Sequence, residues 1–158
     1  MKPIPRRTFL GSAAVLASAA CPCLAKTTHD CCTIPVPPEG AVSISPGLVT
    51  ISLARIPEMR RTGSFLKVVD PARNLQIIVA KPEKDRFVAL SQKCTHGGGA
   101  LTYVHEHKHL WCTCWGHSKF ALDGSVIRWP NKNTPKPLAT HEVARKGDVL
   151  EIRVEGLV

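Results

Sequence analysis

The feature that most restricts the fold of this chain is a pair of short cysteine–histidine spacings. Cys94 and His96 are separated by one residue, Cys114 and His117 by two, and 17 residues lie between His96 and Cys114. Two thiolates and two imidazoles in two short loops form a metal site far more often than they meet by coincidence. The spacing narrows the choice of metal. Structural zinc usually takes pairs two to four residues apart, so a Cys-x-His pair is tight for a zinc loop. A structural zinc-binding module is kept as an alternative. Gly97, Gly98 and Gly99 follow the first pair. Without a Cβ they let the backbone come close to a bound group. A flexible turn is the plainer reading of the same run, and the two are compatible.

The chain around these loops reads as strands. Thirteen prolines and eleven glycines break up short apolar runs, which favours a β-rich fold. The runs LVTISLARI (48–56), SFLKVVD (64–70), LQIIVAK (75–81) and RFVALSQ (86–92) alternate or cluster β-branched residues. PARN (71–74) and PEKDR (82–86) are spacers of hairpin length. THEVARKGDVLEIRV (140–154) reads as a hairpin turning at Lys146-Gly147-Asp148. Past the N-terminal region no long segment shows a 3.6-residue period, so the expectation is an all-β domain. A length of 158 residues suits a single domain, and 44% apolar with 21% charged residues suits a packed core. The formal net charge is +9, but the charges are scattered. Only Arg6-Arg7 and Arg60-Arg61 cluster, and no basic helix or aromatic-interleaved basic strand stands out, which argues against nucleic acid. A basic surface that meets an acidic partner or anionic lipid fits better.

The first 25 residues, MKPIPRRTFLGSAAVLASAACPCLA, have a basic start and then 18 residues without charge, Thr8 to Ala25. The apolar part is mild and rich in Ala and Ser, as in an export signal. RRTFL resembles the twin-arginine signal, whose pathway exports proteins already folded. Cleavage after Ala25 would remove Lys2, Arg6 and Arg7 and no acid. The uncharged stretch, with Pro22 inside it, is marginal against the roughly 20 apolar residues of a spanning helix. An uncleaved anchor, with membrane association through the N-terminus, is therefore the alternative. SAAC ending at Cys21 makes a poor lipoprotein box, because Ser18 stands where leucine is usual. Residues 26–40, KTTHDCCTIPVPPEG, read as a Pro-rich extended linker in which Cys31 and Cys32 receive no role. Residues 41–158 form the folded domain on this reading.

With these motifs in view, the chain resembles the Rieske [2Fe-2S] family, whose pattern is Cys-x-His, an intervening stretch, then Cys-x-x-His. Here it stands as Cys94-Thr95-His96 and Cys114-Trp115-Gly116-His117. CTHGGGAL (94–101) is similar to the family's first loop, and FALDGSVIRWPNKNTPKPLATHEV (120–143) to the strand, turn and proline-bearing loop after the second. The resemblance implies an antiparallel β-sandwich with a cluster-binding subdomain of two loops, and one [2Fe-2S] cluster per chain. It implies Cys94 and Cys114 on one iron and His96 and His117 on the other, at the exposed edge where electrons enter or leave. Imidazoles in place of thiolates raise the potential, to about −150 to +300 mV against about −400 mV for plant-type ferredoxins. The implied function is one-electron transfer between protein partners, in the periplasm or at the outer face of the inner membrane. A small Rieske subunit of a periplasmic oxidoreductase (arsenite-oxidase-like) or of a quinol–cytochrome complex is the alternative.

Several residues depart from the family pattern. Cys112 stands where an apolar residue is usual, and reads as a small buried hydrophobe. The family commonly has His-Gly-x-x-Phe, whereas His117-Ser118-Lys119-Phe120 is one residue shorter, with Gly116 before the histidine. Quinol-oxidising members often carry a loop-to-loop disulfide, and the matching positions here are Gly99 and Gly116. High-potential relatives have hydroxyl donors where Lys119 and Ala121 stand, which places the expected potential in the lower or middle part of the range; Ser118 is a candidate substitute donor. His105, His107 and His109 alternate and read as a solvated hairpin, and His29 and His141 as surface residues.

Overall fold

The computed structural model describes residues 34–114, 116–132 and 136–158. The export-signal reading of residues 1–25, most of the 26–40 linker, and Cys31 and Cys32 lie outside the described residues. What is described is all-β and antiparallel, in two sheets. The larger sheet has seven strands: β1 (Val42–Ser45), β2 (Leu48–Ser52), β3 (Phe65–Asp70), β4 (Leu75–Glu83), β5 (Arg86–Ser91), β10 (Thr140–Lys146) and β11 (Val149–Arg153). They lie in the order β1-β2-β11-β10-β5-β4-β3. The smaller sheet runs β6 (Leu101–Val104), β7 (His109–Cys112), β8 (Lys119–Ala121) and β9 (Val126–Arg128) in sequence order.

The large sheet curls, so that strands far apart in its order share one core. Val49 and Ile51 of β2 meet Leu66 and Val68 of β3, Ile77 and Val79 of β4, and Leu150 and Ile152 of β11. Each such side chain, removed from water, contributes about 1.5–3 kcal/mol. β4 is buried on both faces, which explains why its sequence clusters apolar residues rather than alternating them. Ile77 and Val79 face the first core, whereas Ile78 and Ala80 face a second, formed with Leu90 of β5 and Leu101, Tyr103, Leu110 and Phe120 of the small sheet. The small sheet is thus seated on the back of β4 and β5.

The turns follow from local chemistry. Asp70 accepts the backbone N–H groups of Ala72 (3.0 Å) and Arg73 (3.3 Å), closing a 3-10 turn over Pro71–Arg73, and Asn74 reverses the chain at φ 51°. Gly147 at φ 60° opens the two-residue turn that joins β10 to β11. The run at 48–56 is strand only as far as Ser52; a 3-10 turn begins at Pro57. Ile34 is 2% exposed, and Pro35 accepts a hydrogen bond from the Lys67 N–H at 2.9 Å, so the chain at Ile34–Pro35 lies against the sheet. Among the described residues no helix is long and apolar enough to cross a membrane.

Candidate metal centre

Strand pairing brings the two cysteine–histidine loops together. β6 begins at Leu101, where the first loop ends, and β7 ends at Cys112, where the second begins; Leu101 and Cys112 are register partners. Both loops therefore leave the same end of one hairpin. Thr113 fastens them, its backbone N–H and its hydroxyl each donating to the Ala100 carbonyl at 2.9 Å. The first loop is closed by Cys94 N–H to Gly99 O and Gly98 N–H to Cys94 O, both 2.8 Å, with Gly98 at φ 74°. The second is closed by Cys112 N–H to Ser118 O (2.9 Å) and His117 N–H to Cys114 O (3.1 Å). His117 itself sits at φ 48°, a left-handed conformation tolerated by few side chains. The chain turns at the histidine.

The third side of the site comes from the segment after β9. The Thr95 hydroxyl donates to the Lys136 carbonyl at 2.7 Å. The Trp129 indole meets the His96 ring edge-on at 5.5 Å, and Trp111 meets His117 in the same way at 5.5 Å. Gly116 has no room for a side chain: a Cβ there would lie 2.5 Å from His96 Cε1 and 2.6 Å from Pro130 Cγ.

The ligand atoms of Cys94, His96 and Cys114 all lie within 4.8 Å of one another, and Cys114 Sγ is 3.6 Å from His96 Nδ1. Cys94 is buried at 2% exposure, whereas Cys114, His96 and His117 are half-buried. The His117 ring lies at the same tip but outside that mutually close group, and its Nδ1 is buried with no hydrogen-bond partner. Cys112 is 1% exposed but is more than a small hydrophobe. Its Sγ is 2.6 Å from Cys114 Sγ, and its thiol lies beside that of Cys94. That thiol, with the His96 and Gly97 amides and the Ser118 hydroxyl, outweighs burial and holds the Cys94 thiol down to about 5. The same contact, with burial and Cys114, pushes Cys112 upward. Three thiols therefore meet at one point, and of the Cys94–Cys112 pair it is Cys94 that is held down.

A buried thiolate beside an orphaned imidazole nitrogen is costly in the bare protein. Thiolate and imidazole donors with closely approaching glycine loops fit an iron–sulfur cluster. The residue facing Gly99 across the loops is Cys114, whose Cβ is 2.7 Å from where a Gly99 Cβ would be. Gly116, expected to face Gly99, instead lies against His96 and Pro130.

Sequence reasoning missed two things. Trp129 and Trp111 each cover one histidine, although nothing in their local pattern marks them. His109, read as solvated, is 5% exposed with its Nε2 buried and unpartnered. It stacks on His107 at 5.5 Å and sits in a central strand, paired to Val104 on one side and Ala121 on the other. His105 and His107 occupy the turn between β6 and β7, where the Tyr103 hydroxyl and His105 Nδ1 are 3.0 Å apart.

A family model for the Rieske [2Fe-2S] domain matches residues 53–151. Two solved structures share the fold. The plasma membrane Rieske protein PetC3 of the cyanobacterium Synechocystis PCC 6803 is 20% identical, with a TM-score of 0.50 over 65% of this chain and 95% of that one. The ferredoxin of carbazole 1,9a-dioxygenase from Nocardioides aromaticivorans IC177 is 15% identical, with a TM-score of 0.51 over 66% and 93%. No curated protein sequence matches the chain.

Proposed function

The chain belongs to the Rieske [2Fe-2S] family, and from that premise we propose that it is an exported carrier of single electrons between protein partners. Family membership sets the structural-zinc alternative aside: the domain binds a [2Fe-2S] cluster, and the function this implies is electron transfer through it. The observation that carries the reading is the convergence of Cys94, His96 and Cys114 within 4.8 Å at the tip of the small sheet. The bound cluster supplies a one-electron couple. Cys94 and Cys114 would hold the iron away from solvent, and His96 and His117 the outer iron. Bound to the cluster through one nitrogen, each imidazole would keep a proton on the other, so the two histidines would couple electron uptake to proton uptake. Trp129 and Trp111 orient those rings.

A second reading of the ligand set is favoured by one observation. Cys114 faces Gly99, the position of the clamp in disulfide-bearing members, while Cys112 lies in contact with Cys94. On that reading Cys94 and Cys112 hold the inner iron. The visible and EPR spectra of the reduced protein decide between the two. With Cys114 as ligand, Cys114→Ser loses the cluster and Cys112→Ser keeps it; the reverse result installs Cys112.

Delivery to the periplasm, or to the outer face of the inner membrane on an uncleaved N-terminus, is supported by RRTFL and the uncharged stretch behind it. Replacing Arg6 and Arg7 with lysine should leave cluster-loaded protein in the cytoplasm, and normal delivery by that variant would refute the route. A place as small subunit in a periplasmic oxidoreductase or quinol–cytochrome complex is the alternative to a free carrier. Co-purification with a membrane complex would select it.

A further inference from the structure

Five cations lie on the segments that form the histidine end of the site. The Lys93 side chain lies over the first loop, its Cε 3.8 Å from where a Gly98 Cβ would stand. Lys119 Nζ is 5.4 Å from the centre of the Trp111 ring, which itself covers His117. Arg128 is the register partner of Lys119 and immediately precedes Trp129. Lys136 is fixed to the first loop through its carbonyl and Thr95, and Lys132 is exposed in the same segment. Among the described residues six ion pairs form, and none of them uses any of these five side chains.

The acids of this stretch are placed elsewhere, and Asp70, at the Lys93 end of the large sheet, is paired with Arg73 at 2.6 Å. Between Lys93 and Lys136 the only acids are Glu106 and Asp123. Glu106 is in the turn joining β6 to β7, at the end of that hairpin opposite Leu101 and Cys112. Asp123 is in the turn joining β8 to β9, where it accepts the Ser125 N–H (2.9 Å) and hydroxyl (2.6 Å). His109↔Ala121 pairing puts both turns at the same far end. Strands of this length span roughly 10 Å, more than the Debye length of about 8 Å at physiological salt. The far acids therefore do not neutralise the near cations. Between Arg128 and Lys132 stand half-buried Trp129, packed on His96, and exposed Pro130, apolar surface beside charge as in protein interfaces.

We propose that this face is the docking surface for an acidic redox protein, which the five cations steer onto the His96 and His117 edge. The proposal rests on the electron-transfer reading above. An anionic lipid surface would answer to the same charges, but it would cover the histidine edge through which the electron has to pass; a protein brings its own redox group there.

Stopped-flow oxidation of the reduced holoprotein by an acidic blue-copper protein, beside a basic c-type cytochrome, tests this. With the acidic acceptor the second-order rate constant should fall on the order of tenfold or more from about 10 mM to about 300 mM salt; with the basic one it should rise. Lys93→Glu with Lys136→Glu should lower the low-salt rate with the acidic acceptor by roughly tenfold and flatten its salt dependence. Lys84→Glu, on the turn between β4 and β5 at the far end, should change neither. A rate with the acidic acceptor that ignores salt, or that is unaffected by the double reversal, overturns the proposal. Binding of the wild type to vesicles of anionic phospholipid, lost in the double variant and accompanied by no salt dependence toward the acidic protein, overturns it in favour of a membrane. Calorimetric binding of the acidic protein reads the surface without the electron. A wild type that binds it but shows no cluster by EPR thus refutes the electron-transfer reading, whereas a loaded wild type that does not bind refutes only the docking face.

Discussion

The two sheets are stabilised by different chemistry. The seven-stranded sheet encloses a continuous core from which water is excluded, with Val49, Ile51, Val79, Leu150 and Ile152 all at 0% exposure. Strand-to-strand pairing fixes its register, and nothing inside it requires a ligand. The four-stranded sheet shares an apolar floor with β4 and β5 but changes character toward its loop end. There the interior consists of three thiols, a wholly buried serine and two half-buried imidazoles, one of them with its Nδ1 buried and unpartnered. Burial stabilises the first region outright. In the second, burial of unsatisfied polar atoms is a cost that metal–ligand bonds offset. The base should fold by itself, and the tip should depend on its cluster.

The largest effect that would break this contrast is expected at Cys94, a ligand in both readings of the site. Cys94→Ser should remove iron and visible absorbance completely while far-UV circular dichroism keeps its β-sheet signature. Loss of the whole fold would show that the base does not stand alone. Next comes the reverse experiment in the base. Leu150→Ala, at a site with 0% exposure, should cost about 2–5 kcal/mol in denaturant unfolding, with the spectrum of the folded fraction unchanged.

A smaller effect should separate the regions within one variant. A Cβ on Gly116 meets His96 and Pro130 at 2.5 and 2.6 Å, and overpacking of this kind costs about 1–3 kcal/mol. In Gly116→Ala the cost should appear as faster bleaching of the cluster, with the unfolding midpoint of the base nearly unmoved. The smallest effect is a pH dependence. Burial is the first cause that lowers His109 in the tip sheet and His141 in the base sheet from their ordinary value of 6.5. A histidine depressed in the native state binds its proton more readily when unfolded, so stability is full above about 6.5 and falls as pH drops toward the native values. His141→Gln should flatten that fall in the base transition, and His109→Gln in cluster retention; an unchanged slope in both would contradict the assignment.

Much of the base was legible in the sequence because its signals are local. The β10–β11 hairpin lies where its turn residues put it, and β3 and β5 match their runs within a residue. The failures have physical causes. LVTISLARI continues past Ser52 in β propensity, but Pro57 leads a 3-10 turn and the strand ends early. His109 carries a polar side chain in an alternating polar run, yet β7 is flanked on both sides and pressed onto the second core. Whether an alternating face meets solvent or another sheet depends on a neighbour that the local sequence does not contain.

The sequence by itself determined the donor types, their spacing, the all-β class and the excess of basic over acidic residues. Those follow from composition, short-range periodicity and the geometry of a few linked residues. Tertiary structure alone decided that Cys112 joins the thiol group, that Cys114 rather than Gly116 faces Gly99, that Trp129 and Trp111 cover the histidines, and that the acids fall at the far end of the small sheet. Each of these is set by register between strands. Register is fixed by how the two cores fill, and one residue of slip would turn strand side chains such as Trp111 and Cys112 to the opposite face and displace the loops they carry.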